Sequence, residues 1–261
     1  IGFSAGFTSQ QQNSISIGNN AGRTVQRLNC IAIGNEAGEN DQGGIAGNSV
    51  AIGTFAGNYN QNSNCVAVGA FAGYTQPNQD RCTFLGYGSD ATGNFTNATA
   101  IGFSASVNAN NKVRIGSSAV TAVEGAAAYT VSDARFKKNV QENVPGLDFI
   151  NALRPVTYQY KAFEFDQFLQ KDNPRQLASL KETDYAEANM MIHIGLIAQE
   201  VDQLVRSKGY KLSLVHTPGN PKDNYSIAYG ELIPVLIKAI QEQQQRIEEL
   251  KKEIDNLKLH R

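Results

Sequence analysis

Several features that mark common function classes are missing from this chain. No apolar run approaches the ~18–20 residues that a membrane span needs, and no signal-peptide pattern opens the sequence. The three cysteines, Cys30, Cys65 and Cys82, make no CxxC pair and have no histidine nearby, so a zinc site is unsupported. There is no P-loop and no GxSxG, and the first half offers few histidines, lysines or paired carboxylates. Charge is scarce as well. Only 18% of the 261 residues are charged, and 23 basic groups nearly cancel 24 acidic ones. A net charge of -1 supplies no pull toward nucleic acid or an anionic membrane. These absences argue against a nucleic-acid binder, a membrane protein, a metal- or cofactor-dependent protein and a conventional turnover enzyme.

What is present is unevenly distributed. Residues 1–130 hold five basic and six acidic side chains but 19 of the 24 glycines. The rest of the chain carries most of the charge, as expected when two different kinds of segment are joined end to end. The glycines of the first half fall in a repeat: Asn13-Ser-Ile-Ser-Ile-Gly18, Asn29-Cys-Ile-Ala-Ile-Gly34, Asn48-Ser-Val-Ala-Ile-Gly53, Asn64-Cys-Val-Ala-Val-Gly69, Arg81-Cys-Thr-Phe-Leu-Gly86, Asn97-Ala-Thr-Ala-Ile-Gly102 and Asn111-Lys-Val-Arg-Ile-Gly116. An eighth copy survives as Ile1-Gly2, and the steps between glycines are 16, 16, 19, 16, 17, 16 and 14 residues. Because the chain enters in the middle of a repeat, it reads as the C-terminal part of something longer, attached to a larger particle through its N-terminal region.

Aliphatic residues at hexad positions three and five alternate with small or polar ones, the pattern of a half-buried strand. The flanking Asn and Gly both tolerate positive φ, so each strand is bracketed by corners. Segments such as Thr54-Phe-Ala-Gly57 suggest a second short strand per coil. Coils stacked ~4.8 Å apart would then bury the Ile/Val ladder. The cysteines occupy hexad position two, read as small side chains in an outward slot. Cys65 and Cys82 would stack within disulfide range, but with parallel Cβ vectors. The sequons at Asn94, Asn97 and Asn224 are read as accidents of an Asn-rich chain.

The nonamer Ser49-Val-Ala-Ile-Gly-Thr-Phe-Ala-Gly57 resembles the head repeat of trimeric autotransporter adhesins, and similar repeats occur in phage tail fibres. Over residues 1–118 this implies a β-roll or β-helical stalk made by three associating chains. After the repeats come Ser132-Asp-Ala-Arg-Phe-Lys-Lys-Asn-Val140, Gly146-Leu-Asp-Phe-Ile-Asn-Ala-Leu-Arg-Pro155, Val156-Thr-Tyr-Gln-Tyr160, His193-Ile-Gly-Leu-Ile-Ala-Gln-Glu-Val201 and the block Tyr225 to Ile240. These five blocks resemble the C-terminal intramolecular chaperone of phage endosialidases and other tail spikes, a self-cleaving peptidase domain. The fold class that follows is a mainly β repeat with a ~16-residue period, an α+β chaperone domain and a C-terminal coiled-coil helix, assembled as a homotrimer. The expected division is stalk 1–118, linker 119–131, chaperone 132–230 and coiled-coil helix 231–261.

The resemblance implies autocleavage at Val131–Ser132, with Ser132 as nucleophile, Lys137 as its partner in a Ser–Lys dyad, and Asp133 and Arg135 at the other motif positions. It also implies arms that grip the fibre, and the long polar stretch Tyr160–Met191 is the candidate arm. A serine hydroxyl needs a base, and lysine serves only when burial favours its neutral amine. Five residues on one helix turn through about 500°, which would put Ser132 and Lys137 on different faces. Ser132 should therefore sit outside the helix, at its N-cap, with free backbone N–H groups nearby for an oxyanion and with Lys137 folding back or reaching another chain. Spacing alone would make this a helix cap followed by a solvated lysine. Lys138 is the neighbouring alternative base, and His193, Gln199 and Glu200 are possible supporting groups, each with an ordinary structural role as the alternative.

After Pro234, Leu236, Ile240, Gln243, Ile247, Leu250, Ile254 and Leu257 alternate four and three apart, a heptad seam with isoleucine at a and Gln243 interrupting the leucines at d. Ile at a with Leu at d favours a dimer, whereas the resemblance requires three chains. The expected setting is a virion tail or phage-like extracellular particle, with a host-surface receptor or glycan as a possible partner. A bacterial surface adhesin whose terminal domain only trimerises is the alternative.

Overall fold

The computed structural model describes residues 1–44, 46–59, 61–75, 78–125 and 130–259. Part of the expected linker, 126–129, lies outside them. The chain forms two compact units. One comprises Ile1–Val123, Gln159–Met191 and Gly219–Asp223, and the other Glu124–Tyr158, Ile192–Pro218 and Asn224–Arg261.

The first unit is built on a β-solenoid. Each hexad supplies one three-residue strand: β1 (Ile15–Ile17), β2 (Ile31–Ile33), β3 (Val50–Ile52), β4 (Val66–Val68), β5 (Thr83–Leu85), β7 (Thr99–Ile101) and β9 (Val113–Ile115). They pair in parallel, in sequence order and in register, as one seven-stranded sheet. The opposite wall is mostly turns, joined by isolated parallel bridges such as Gln10 to Gln26 and Gln61 to Gln79. Among the described residues, only β6 (Asp90–Ala91) and β8 (Ser106–Val107) make the second strand per coil that the sequence suggests. The extended run fails in the coils where an αL glycine, Gly38, Gly57 or Gly73 at φ of 53°, 52° and 57°, stands in the place that Asp90 and Ser106 take in β6 and β8.

The corners behave as the hexad predicts. Every hexad begins with a residue at φ between 53° and 61°, an Asn in six copies and Arg81 in the fifth. The closing glycines stack on one another across coils. A Cβ on Gly53, whose φ is 128°, would lie 2.6 Å from the carbonyl of Gly69.

The interior reverses the expected packing. Ala32, Ala51, Ala67 and Ala100 from the strands meet Ala21, Ala37, Ala56, Ala72 and Ala105, and all are buried. In most coils the walls meet through alanine methyl groups at position four and the aliphatic positions point outward, and in the fifth hexad Phe84 takes the inward place beside Gly73. Ile15, Ile17, Leu85, Val113 and Ile115 are exposed on the sheet's outer face. Positions two and four share the same side of the strand, which is why Cys30, Cys65 and Cys82 are buried inside the coil and not in an outward slot. All three thiols are free; burial pushes that of Cys30 upward, and the Cys82 side chain together with burial pushes up that of Cys65. Buried amides complete the interior: Gln26 Nε2 donates to Gln42 Oε1 at 3.1 Å and to the Ile15 carbonyl at 2.8 Å, and Gln42 and Gln61 repeat the contact to Ile31 and Val50.

Three helices within Tyr160–Met191 belong to this unit: α2 (Ala162–Gln170), α3 (Pro174–Ser179) and α4 (Ala186–Met190). Asn173 caps α3 by accepting from Gln176 N at 3.1 Å, with Pro174 in the first turn, where its missing N–H costs nothing.

The second unit holds α1 (Leu147–Ile150), β10 (Val156–Gln159) paired with β11 (Ile192–Gly195), α5 (Ala198–Ser207), the antiparallel pair β12 (Val215–His216) and β13 (Ser226–Ile227), and α6 (Leu232–Leu259). Phe149, Val201, Val205, Leu214, Leu232 and Val235 form its core. The start of α6 is anchored there, and Glu242 accepts from Leu147 N at 2.8 Å. Farther along, the heptad residues Ile240, Leu250, Ile254 and Leu257 are all at least half exposed.

Two predictions follow from the coil geometry. Gly53→Ala adds a Cβ at a forbidden φ against backbone and should destabilise the solenoid by about 3 kcal/mol, whereas Arg81→Asn restores the αL-tolerant residue and should stabilise it by ~0.5–1 kcal/mol. Denaturant unfolding followed by circular dichroism checks both. The second concerns Asp90, which is fully buried and accepts from Thr75 N at 2.9 Å, from the Thr75 hydroxyl and from Ala91 N at 2.8 Å. Burial raises its carboxyl to about 6 from 3.8. The folded chain therefore holds a proton that the unfolded chain releases. The associated stability is present below about pH 4 and lost as the pH rises to about 6, a change of about 3 kcal/mol. Asp90→Asn should melt higher than the parent at pH 7–8, with the difference shrinking toward pH 4.

Candidate active site

The segment entering the proposed cleavage site is exposed, with Val131 85% accessible. A single 3₁₀ turn, Ala134–Phe136, follows, and it is too short to be the continuous helix that would have separated the two dyad candidates. Its cap is Asp133, not Ser132. The Asp133 carboxylate accepts from Arg135 N at 2.9 Å, since a charged acceptor one residue closer to the turn takes the cap position. Arg135 also reaches Asp133 through its side chain at 2.6 Å, and this guanidinium holds the Asp133 carboxyl below its usual range. The two remaining motif positions thus brace the turn.

Lys137 leaves the turn with extended backbone, φ -101° and ψ 139°. That conformation lets the side chain fold back within the same chain, and Lys137 Nζ donates to Ser132 Oγ at 2.8 Å. Ser132 and Lys137 are both exposed, as are Phe136 and Val140 beside them. The pair has the separation that proton transfer from hydroxyl to amine needs. With the lysine charged it donates, and with the amine neutral the same separation carries the serine proton in the other direction.

The supporting candidates lie on other elements. His193 is on β11, its ring stacked on Tyr158 at 5.5 Å between centroids. Gln199 and Glu200 open α5, and Glu200 is engaged by Arg154 at 2.5 and 3.1 Å, an ion pair that lowers the Glu200 carboxyl. Lys138 is exposed next to Lys137.

Nothing in the local sequence singles out Asp166 or Arg175, which join α2 and α3 to the solenoid. A signal for one of their partners, Arg114 beside Asp166, was nonetheless present. The seventh hexad replaces the small inward residues at positions two and four with Lys112 and Arg114.

Among the described residues no helix is long and apolar enough to cross a membrane. No curated protein and no solved structure gives a significant match to this chain. Residues 132–210, which carry the Ser132–Lys137 pair and follow the β-solenoid, match the family model Peptidase_S74, chaperone of endosialidase.

Proposed function

We propose that this chain is the terminal part of a homotrimeric tail fibre whose chaperone domain directs assembly of the β-solenoid and then cuts itself off at Val131–Ser132. The observation that carries the cleavage is the 2.8 Å contact between Lys137 Nζ and Ser132 Oγ, next to the bond to be broken. Neutral Lys137 takes the hydroxyl proton as Ser132 Oγ attacks the Val131 carbonyl carbon. The C–N bond breaks as the Ser132 nitrogen takes up a proton, which leaves an ester between the Val131 acyl group and Ser132 Oγ. Water then hydrolyses the ester to a Val131 carboxylate and a new Ser132 amino terminus. Asp133 and Arg135 brace the turn, and His193, Gln199 and Glu200 remain possible supporting groups.

Two apolar surfaces, one half-buried and one exposed, support assembly of several copies. One is the outer face of the seven-stranded sheet, with two aliphatic columns running through Ile15, Ile31, Val50 and Val66 and through Ile17, Ile33, Ile52 and Val68. The other is the heptad seam of α6. Apolar faces of this extent mark association sites. Copies packed around Val131, Phe136 and Val140 would exclude water from the dyad, the condition an amine base requires. Cleavage would then follow assembly.

Mass spectrometry of the purified wild-type chain should find a break before Ser132. Ser132→Ala should stay intact, and Lys137→Ala should cleave roughly 10²–10⁴-fold more slowly. A cleaved Ser132→Ala chain would exclude the assignment. Light scattering should give the mass of three chains, and a dimer would remove the fibre model.

A further inference from the structure

The bond before Ser132 does not follow the boundary of the solenoid unit, which has members on both sides of it. Gln159–Met191 and Gly219–Asp223 lie downstream of that bond and belong to the same compact unit as Ile1–Val123. The contacts across this division fall into three groups.

Asp166 on α2 is the centre of the first. It is 2% exposed and accepts from Ser118 N at 2.8 Å, Ser118 Oγ at 2.7 Å and Tyr185 OH at 2.9 Å, with Arg114 Nη2 at 3.5 Å. The Arg114 guanidinium also lies 5.1 Å from the Phe165 ring centroid. Ala119 packs with Ala162, Tyr185 and Ala188 beside this network.

In the second group, Arg175 on α3 sits among three rings of the solenoid, 4.3 Å from the centroid of Phe71, 5.2 Å from Tyr74 and 5.3 Å from Phe55. A guanidinium held over several aromatic faces is a favourable cation–π arrangement. The third joins the 219–223 loop to the last coils. Asp223 pairs with Lys112 at 3.0 Å, Lys222 Nζ donates to the Thr92 carbonyl at 2.6 Å, and Asn108 and Asn220 exchange amide contacts with this loop and strand end at 2.9 and 3.0 Å.

Apart from the Tyr185 contact, which holds Asp166 from within the downstream chain, each of these interactions links a residue before position 131 to one after it. Lys112 and Arg114 stand in the final hexad, where no further coil covers the inward positions, and each finds a carboxylate from the downstream chain. A solenoid end needs a polar cap, and here the cap is supplied from beyond the proposed break.

We infer that breaking the chain before Ser132 leaves the downstream fragment docked on the solenoid as its C-terminal cap, so that scission and release are separate steps. Asp166 and Arg175 are the principal anchors. The docked partner is the protein's own downstream segment, held by a buried carboxylate network and an aromatic cage, neither of which depends on the intact peptide bond. The inference builds on the proposed cleavage but can be tested without it.

A recognition sequence for a specific protease, placed immediately before residue 132 in a full-length Ser132→Ala chain, allows the break to be made at will. If wild-type protein never cleaves itself, the dyad proposal fails, and this experiment still reports on docking. After the cut, the two fragments should separate on a denaturing gel yet co-elute on size exclusion in physiological salt. Fragments that elute apart at once would overturn the inference. In the same background, Asp166→Ala combined with Arg175→Ala should weaken the cut complex at least about tenfold, with the uncut variant checked for native circular dichroism. Undiminished co-elution of that pair would exclude the assigned anchors. Should the double variant fail to fold, Asp166→Asn and Arg175→Lys made singly in the cut parent replace it: each should release more of the downstream fragment than the parent does, and undiminished co-elution of both would likewise exclude them.

Discussion

The constraint on which the solenoid depends is the close approach of successive coils at their corners. Glycine stacks on glycine with no room for a Cβ, and the opposing walls enclose chiefly alanine, cysteine and glutamine amides, with Phe84 and Val107 the larger side chains among them. A core of methyl groups contributes little burial per residue. Backbone ladders and buried amides therefore carry much of the organisation, and the larger aliphatic side chains are pushed to the outside. A single chain in this state exposes the surface that would best stabilise it.

This packing gives a physical reason for a chaperone segment to follow the repeats. Parallel, short strands in register offer weak local specification, and a shifted coil would present almost the same hexad to its neighbour. A downstream element that recognises the final coil supplies an end point for the register. Lys112 and Arg114 make that coil chemically distinct, and Asp223 and Asp166 recognise it. The exposed seam of α6 offers a separate means of bringing copies together.

Much of the repeat was legible. The Asn-to-Gly hexads predicted seven strands and their corners, and positive φ at residues such as Asn48 and Asn64 agrees with the turn chemistry expected of them. The direction of the side chains was not legible, because alternation shows that two faces differ without showing which one is inside. Large aliphatics on one face normally mean the core, and here the thinness of the coil overrides that rule. The glutamines at positions 10, 26, 42, 61 and 79 recur nearly in phase with the hexads, a periodic signal that an alignment on glycine alone passes over. At the candidate site, the motif placed Ser132 and Lys137 in one short segment. The cap at Asp133 was missed because Ser and Asp are both good cap residues and spacing cannot rank them.

By itself, the sequence determined the period, the parallel in-register stacking and the chemical boundary between a charge-poor repeat and a charged, helical segment, since these are encoded locally in glycine, asparagine and alternation. Only the tertiary structure decided that the aliphatic ladder faces outward, that Lys137 folds back onto Ser132, and that Asp166 and Arg175 reach residues far upstream. Those outcomes depend on how much space a closed coil encloses and on which distant side chains meet across it, and neither quantity is written in any short stretch of residues.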